Sequence, residues 1–198
     1  GLPDQLTFLR HKEIVVKALR GLVVLSFLLL GGCLVVFREP LPANEQPPIA
    51  LIGEWSRTNE WGEQMFLDIS RAGDLSFKAR LMAGSPENLE GAEEYDFTVN
   101  HSGRRWYFST RLPKRFGDSY AVGGFEITGN NELVLYSLED RYFVEEIKAG
   151  RLTGKVVDTA GAQSALITAP SAQVLAFLND PANSDGFVEA ARYQRSAE

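Results

Sequence analysis

Residues 21–37 run Gly-Leu-Val-Val-Leu-Ser-Phe-Leu-Leu-Leu-Gly-Gly-Cys-Leu-Val-Val-Phe without a single charge. No other stretch narrows the possible folds as much. An apolar helix of about 20 residues spans the roughly 30 Å hydrocarbon core of a bilayer. The run extends back to Ile14 if Lys17 and Arg20 reach up to the headgroups. The expectation is one N-terminal transmembrane helix within residues 1–37. A cleaved export signal fits less well, because its apolar region is usually about 7–15 residues long and ends in a small-residue cleavage site.

Charge gives the run a direction. Arg10, Lys12, Lys17, Arg20 and Arg38 outweigh Asp4 and Glu13, so residues 1–38 carry +3, while the remainder carries −9 of the total −6. Basic residues clustered before a span place the N-terminus in the cytoplasm (or an equivalent inner compartment). The C-terminal part is then expected in the periplasm or its equivalent, at an inner, cytoplasmic-type membrane. Leu30-Gly31-Gly32-Cys33 has the outline of a bacterial lipobox, but Leu-Val-Val-Phe follows the cysteine where a polar tether belongs. Gly31 and Gly32 are candidate contact points for another helix, a lipid or a flat pigment, since small residues let neighbours approach closely.

Residues 38–50 separate this segment from the rest. Pro40, Pro42, Pro47 and Pro48 exclude helix and favour an extended spacer, which could hold a domain up to roughly 30 Å from the membrane at about 3.1 Å per residue. From residue 51 to 198 the pattern turns to period two. In Leu75-Ser76-Phe77-Lys78-Ala79-Arg80-Leu81, apolar and polar residues alternate, as in a half-buried strand. Further strands are expected over residues 51–57, 65–70, 95–100, 104–110, 120–128, 132–138, 142–147, 151–158 and 164–168, with turn residues between them. Such a series is an antiparallel up-and-down meander, and closing it into a barrel removes the edges that invite aggregation. Phe77, Phe97, Trp106, Phe108 and Phe125 are its expected inward aromatics. Ser171 reads as the N-cap of a short helix over 172–178 that ends before Pro181. Residues 186–195 fit strand or helix equally. The fold class is thus mainly β: a transmembrane helix, a barrel-like domain and a short C-terminal helix.

Gly53-Glu54-Trp55 at the head of the first strand, followed by the meander, resembles the Gly-x-Trp start of the lipocalins and their calycin relatives. The resemblance covers roughly residues 50–160 in outline and three residues in motif, and it lacks a second lipocalin motif. It implies an eight-stranded barrel, sometimes holding an apolar ligand. It also implies that Trp55 packs at the closed end beneath a late basic side chain, with Arg192 and Arg195 both eligible.

Chemistry is sparse. An acidic domain lacks the basic footprint that nucleic acid requires. The lone Cys33 lies in the apolar run, and His11 and His101 cannot build a His-rich metal site. Glu54, Glu60, Glu63 and Asp68, and again Glu87, Glu90, Glu93 and Glu94, are close in sequence, but runs of this kind are ordinarily solvated faces. His101-Ser102 falls in a hairpin turn, where Ser beside Gly103 is expected anyway. No enzyme, cofactor or metal is therefore read. The one basic, aromatic stretch is 104–116, whose Arg104, Arg105, Tyr107, Arg111, Lys114 and Arg115 are candidates for docking on a partner or on lipid headgroups. The favoured function is a non-catalytic, single-span accessory or assembly subunit of a respiratory or photosynthetic membrane complex. Its partners would be other membrane subunits and the bilayer, with a lipid or pigment held at the helix. The alternative is a membrane-tethered, lipocalin-like carrier of a lipid, quinone or pigment.

Overall fold

The computed structural model describes residues 35–103, 105–159 and 162–196, the side chains at 115, 159 and 162 excepted. Seven strands follow one another as an antiparallel meander: β2 (Gly53–Thr58), β3 (Gln64–Arg71), β4 (Ser76–Ala83), β5 (Glu93–Ser102), β6 (Arg105–Arg111), β7 (Tyr120–Ile127) and β8 (Glu132–Leu138). The last strand, β11 (Phe187–Arg195), pairs with β8 on one side and with β2 on the other. That pairing closes an eight-stranded barrel. The closing seam is short, with only Gln194↔Ser56 and Arg195↔Trp55 in register.

The alternation read from the sequence is what fills the barrel. Trp55, Leu67, Ile69, Phe77, Leu81, Phe97, Val99, Phe125, Leu133 and Tyr193 are buried in one core, with Trp106 and Phe108 packed against it. Phe77 and Phe97 stack at 5.2 Å, and Phe108 meets Phe97 edge-on at 5.3 Å. All five expected inward aromatics are in place.

A second core lies outside the barrel wall. Between β8 and β11 the chain leaves the meander to form α1 (Asp140–Lys148), β9 (Gly154–Thr159), β10 (Ala162–Ile167) and α2 (Ser171–Asn179), then returns through a 3-10 turn at Pro181–Gly186. β9 and β10 form a hairpin. Beside β10, in parallel, runs β1 (Val35–Phe37), which also touches β7 through Phe37↔Tyr120. Phe37, Leu41, Tyr107, Val122, Phe143, Val144, Ile167, Val174 and Leu178 are buried together in this outer layer. β6 and β7 therefore separate two cores, and Tyr120-Ala-Val-Gly-Gly-Phe is buried along most of its length because both faces are covered.

Three expectations change, and one open reading resolves. Val35, Val36 and Phe37, read as the end of a membrane helix, are a strand, because β10 offers them a ladder of backbone partners. The rest of that run lies outside the described residues, and among the described residues no helix is long and apolar enough to cross a membrane. Residues 142–147, read as a strand, are helix α1: Phe143 and Val144 are buried on one face while Glu145 and Lys148 are exposed. Residues 186–195 resolve as strand β11. Finally, Ser171 does not cap α2 with its side chain; Glu39 Oε2 accepts the Ser171 N–H at 3.0 Å.

The proline-rich segment is not a free stand-off. It lies across the outer face of β5 and β6, with Leu41 buried. The Leu41 N–H donates to Ser109 Oγ at 3.0 Å, and Asn100 Nδ2 donates to the Pro42 carbonyl at 2.7 Å. Asn44 and His101 exchange a further pair of bonds. Buried Asn100 and Ser109 thus find their partners in the segment itself, which agrees with the rule that buried polar groups are hydrogen-bonded.

Candidate functional site

The closed end of the barrel is built from two separated pieces of chain, residues 49–55 and Arg195. A 3-10 turn at Ile49–Leu51 inserts Leu51, and Trp55 Nε1 donates to the Leu51 carbonyl at 2.9 Å. The Arg195 guanidinium lies 4.1 Å from the Trp55 ring centroid, donates to the Ile52 carbonyl at 3.0 Å and also bonds the Ala50 carbonyl. Arg195 is therefore the late basic residue over the tryptophan. Arg192 faces outward to Glu132 and Glu189, at 2.7 and 2.6 Å. Gly53 has φ +132°, and a Cβ there would sit 2.7 Å from the Arg195 guanidinium. The glycine of Gly-x-Trp is thus required by both conformation and space.

Above this plug lies a cavity of about 40 Å³, lined by eleven side chains, all apolar. Leu51 forms its floor, and Leu67, Ile69, Phe77, Ala79 and Phe97 form part of its wall. Towards the other end, Arg57 shares the inward face of β2 with Trp55, its guanidinium 5.8 Å from the Tyr193 ring. Burial holds the Tyr193 phenol above its ordinary pKa, against the opposing effect of Arg57.

A larger concavity lies along β6, β7 and β8 and is lined from both faces of that wall, Trp106, Phe125 and Ile127 among its residues. This groove of about 710 Å³ is bounded by Pro48 and Ala50 of the proline-rich segment, by β6, β7 and β8, and by Ser184 and Phe187. Arg105 stacks over the Phe187 ring at 4.2 Å. Tyr136 donates its hydroxyl to Glu126 Oε2 at 3.2 Å, and its pKa is raised, first by burial and then by that bond.

The residues proposed from sequence fall in different places. Gly31, Gly32 and Arg104 lie outside the described residues, as does the Arg115 side chain. Arg105 lines the groove. Tyr107 is fully buried in the outer core and donates to Asn179 Oδ1 at 2.6 Å, which withdraws it from any surface contact. Burial pushes its pKa up to about 12, opposed by Arg105. Arg111 is exposed and paired with Asp118 at 2.8 Å, and Lys114 is exposed in a short 3-10 turn. These cations do not converge on one spot.

The other candidate groups do not assemble either. His101 stacks on Trp106 at 3.9 Å, while Ser102 donates to Asn100 Oδ1 at 2.7 Å, so the two side chains do not face each other as base and nucleophile. Glu94 is held by Arg80 at 2.7 Å, which lowers its pKa through hydrogen bonding and charge. No cluster of three or more His, Cys, Asp or Glu side chains suited to a metal ion occurs among the described residues.

Strand order, closure and the plugged tryptophan together define a closed, calycin-like antiparallel barrel. No protein-family model and no curated protein matches the chain. Among solved structures it is similar to a mutant of the fluorescent protein UnaG, at 11% identity and a TM-score of 0.33, over 75% of this chain and 98% of that one. A likeness that slight carries no argument about function.

Proposed function

We propose that this chain is a non-catalytic binding module whose barrel takes a slender apolar chain, such as the hydrocarbon part of a lipid. The observation that carries this reading is the all-apolar cavity above Leu51. Apolar cavities in proteins stay dry and accept apolar guests of matching shape. Sites that hold whole ligands occupy about 300–1,000 Å³, so the void of about 40 Å³ is only a starting gap in the packed core, and a chain enters by displacing the side chains around it. The alternative of an accessory subunit in a membrane complex leaned on a helix reaching Phe37, and its last three residues are strand.

The test fills the void. Ala79→Phe projects a ring into it, at a stability cost of about 1–3 kcal/mol from overpacking. Delipidated full-length protein titrated with a fluorescent long-chain fatty acid should bind it, and Ala79→Phe should weaken binding by about tenfold or more. Equal binding by the folded variant would sink the reading.

A further inference from the structure

We propose that the groove along β6, β7 and β8 is a second binding site, distinct from the cavity above Leu51 although Phe125 borders both, for a small organic anion with a flat aromatic body. Three observations meet there. The first is size: about 710 Å³ falls within the range of small-molecule sites. The second is an uncommitted cation. Among the described residues Arg105 makes no ion pair; its guanidinium carbon lies over the Phe187 ring, 4.2 Å from the centroid. A guanidinium over an aromatic ring and without an ion pair has N–H groups to offer a carboxylate or sulfonate, which it binds as a planar fork. By contrast, Arg80, Arg111, Arg151 and Arg192 all hold carboxylates.

The third observation is the wall beside that cation. Tyr136 and Phe187 flank a position with no side chain at all, Gly124. A Cβ at Gly124 would meet only ordinary contacts, 3.5 Å to Tyr136 Cβ and 3.8 Å to Phe187. Packing therefore does not demand glycine there, and its effect is to keep the floor of the groove open between aromatic rings. Offset ring stacking is the contact such walls offer. Glu126 stands exposed nearby and is engaged by the Tyr136 hydroxyl. It sets a polarity across the groove, with the anionic end of a ligand directed toward Arg105 and away from Glu126.

The probe is 2-naphthoate, titrated into the full-length protein by calorimetry. The unaltered chain should bind it, more weakly as salt rises. Arg105→Gln should weaken binding by about tenfold or more, and Arg105→Lys by less, because it retains charge without the planar fork. Gly124→Leu should block the floor. Ala79→Phe, which fills the barrel, should leave naphthoate binding unchanged, whereas fatty-acid binding should survive Arg105→Gln. No binding by the unaltered protein overturns the proposal. So does equal binding by Arg105→Gln, a surface change that leaves the fold intact even if Gly124→Leu does not. Loss on Ala79→Phe would place the probe inside the barrel and overturn it too.

Discussion

Gly123 and Gly124 are neighbours on β7 with opposite reasons to be glycine. A Cβ at Gly123 would lie 2.4 Å from Phe108 Cζ and 2.9 Å from the Tyr136 carbonyl oxygen. The Phe108 ring occupies the space that a side chain would need, and the backbone oxygen cannot retreat without disturbing the β7–β8 ladder. Gly123→Ala should cost about 1–3 kcal/mol by overpacking, while Gly124→Ala should stay within about 0.5 kcal/mol. Urea denaturation of both variants checks this, and equal midpoints would refute it. Nothing in the dipeptide reveals the difference, since it depends on what β6 and β8 place opposite. Trp55 was legible because Gly-x-Trp is local. The choice of Arg195 over Arg192 was not, because the register of β11 against β2 and β8 decides which of the two turns over the indole.

At the scale of elements, sequence read best where one face is wet. The meander from β2 to β8 came out in order because each strand alternates and each turn carries its own residues. It failed where burial breaks the period. β11 has a register shift between Glu189 and Ala191, so alternation slips mid-strand and neither period fits. α1 carries Tyr-Phe-Val, which favours a strand by composition, yet its buried positions follow the helical stripe over the outer core. β1 is short and uniformly apolar, so only its long-range partner β10 distinguishes it from the run before it. The groove along β6, β7 and β8 was legible only through Arg105; Tyr136, Gly124 and Phe187 join it through barrel closure. The proline-rich segment is the element with the clearest consequence. Leu41 is its buried anchor, with its N–H tied to Ser109. Leu41→Ala should destabilise by about 2–5 kcal/mol, as buried leucine truncations do. An exposed spacer would give less than about 0.5 kcal/mol, so a melt unchanged within that margin would show that the segment does not hold to the barrel.

For the whole molecule, the decisive feature is that two cores share one wall. β6 and β7 send Phe108 and Phe125 into the barrel and Tyr107 and Val122 into the outer layer. Neither core can open without exposing the back of the other, so the two should unfold together. Each core also encloses a phenol: Tyr193 in the barrel and Tyr107 in the outer layer, both with pKa values raised chiefly by burial. A buried neutral phenol keeps its proton when the unfolded chain would release it. Tyr107 starts from 10.0 and is pushed up to about 12. Below pH 10 both states of the chain hold this proton and stability is unaffected by it. Above pH 10 the unfolded state holds fewer protons than the folded one, so stability falls as pH rises toward about 12. For Tyr107 the loss is on the order of 2 kcal/mol at the upper end of that window. Urea midpoints measured across the window should fall. Tyrosinate absorbance from the buried pair should appear in step with the loss of tryptophan fluorescence from Trp55, not ahead of it. Tyr107→Phe should flatten the slope while lowering overall stability through loss of the bond to Asn179. An unchanged slope in that variant, or tyrosinate forming while the barrel remains folded, would mean that the outer core opens independently and that the shared wall does not couple the two.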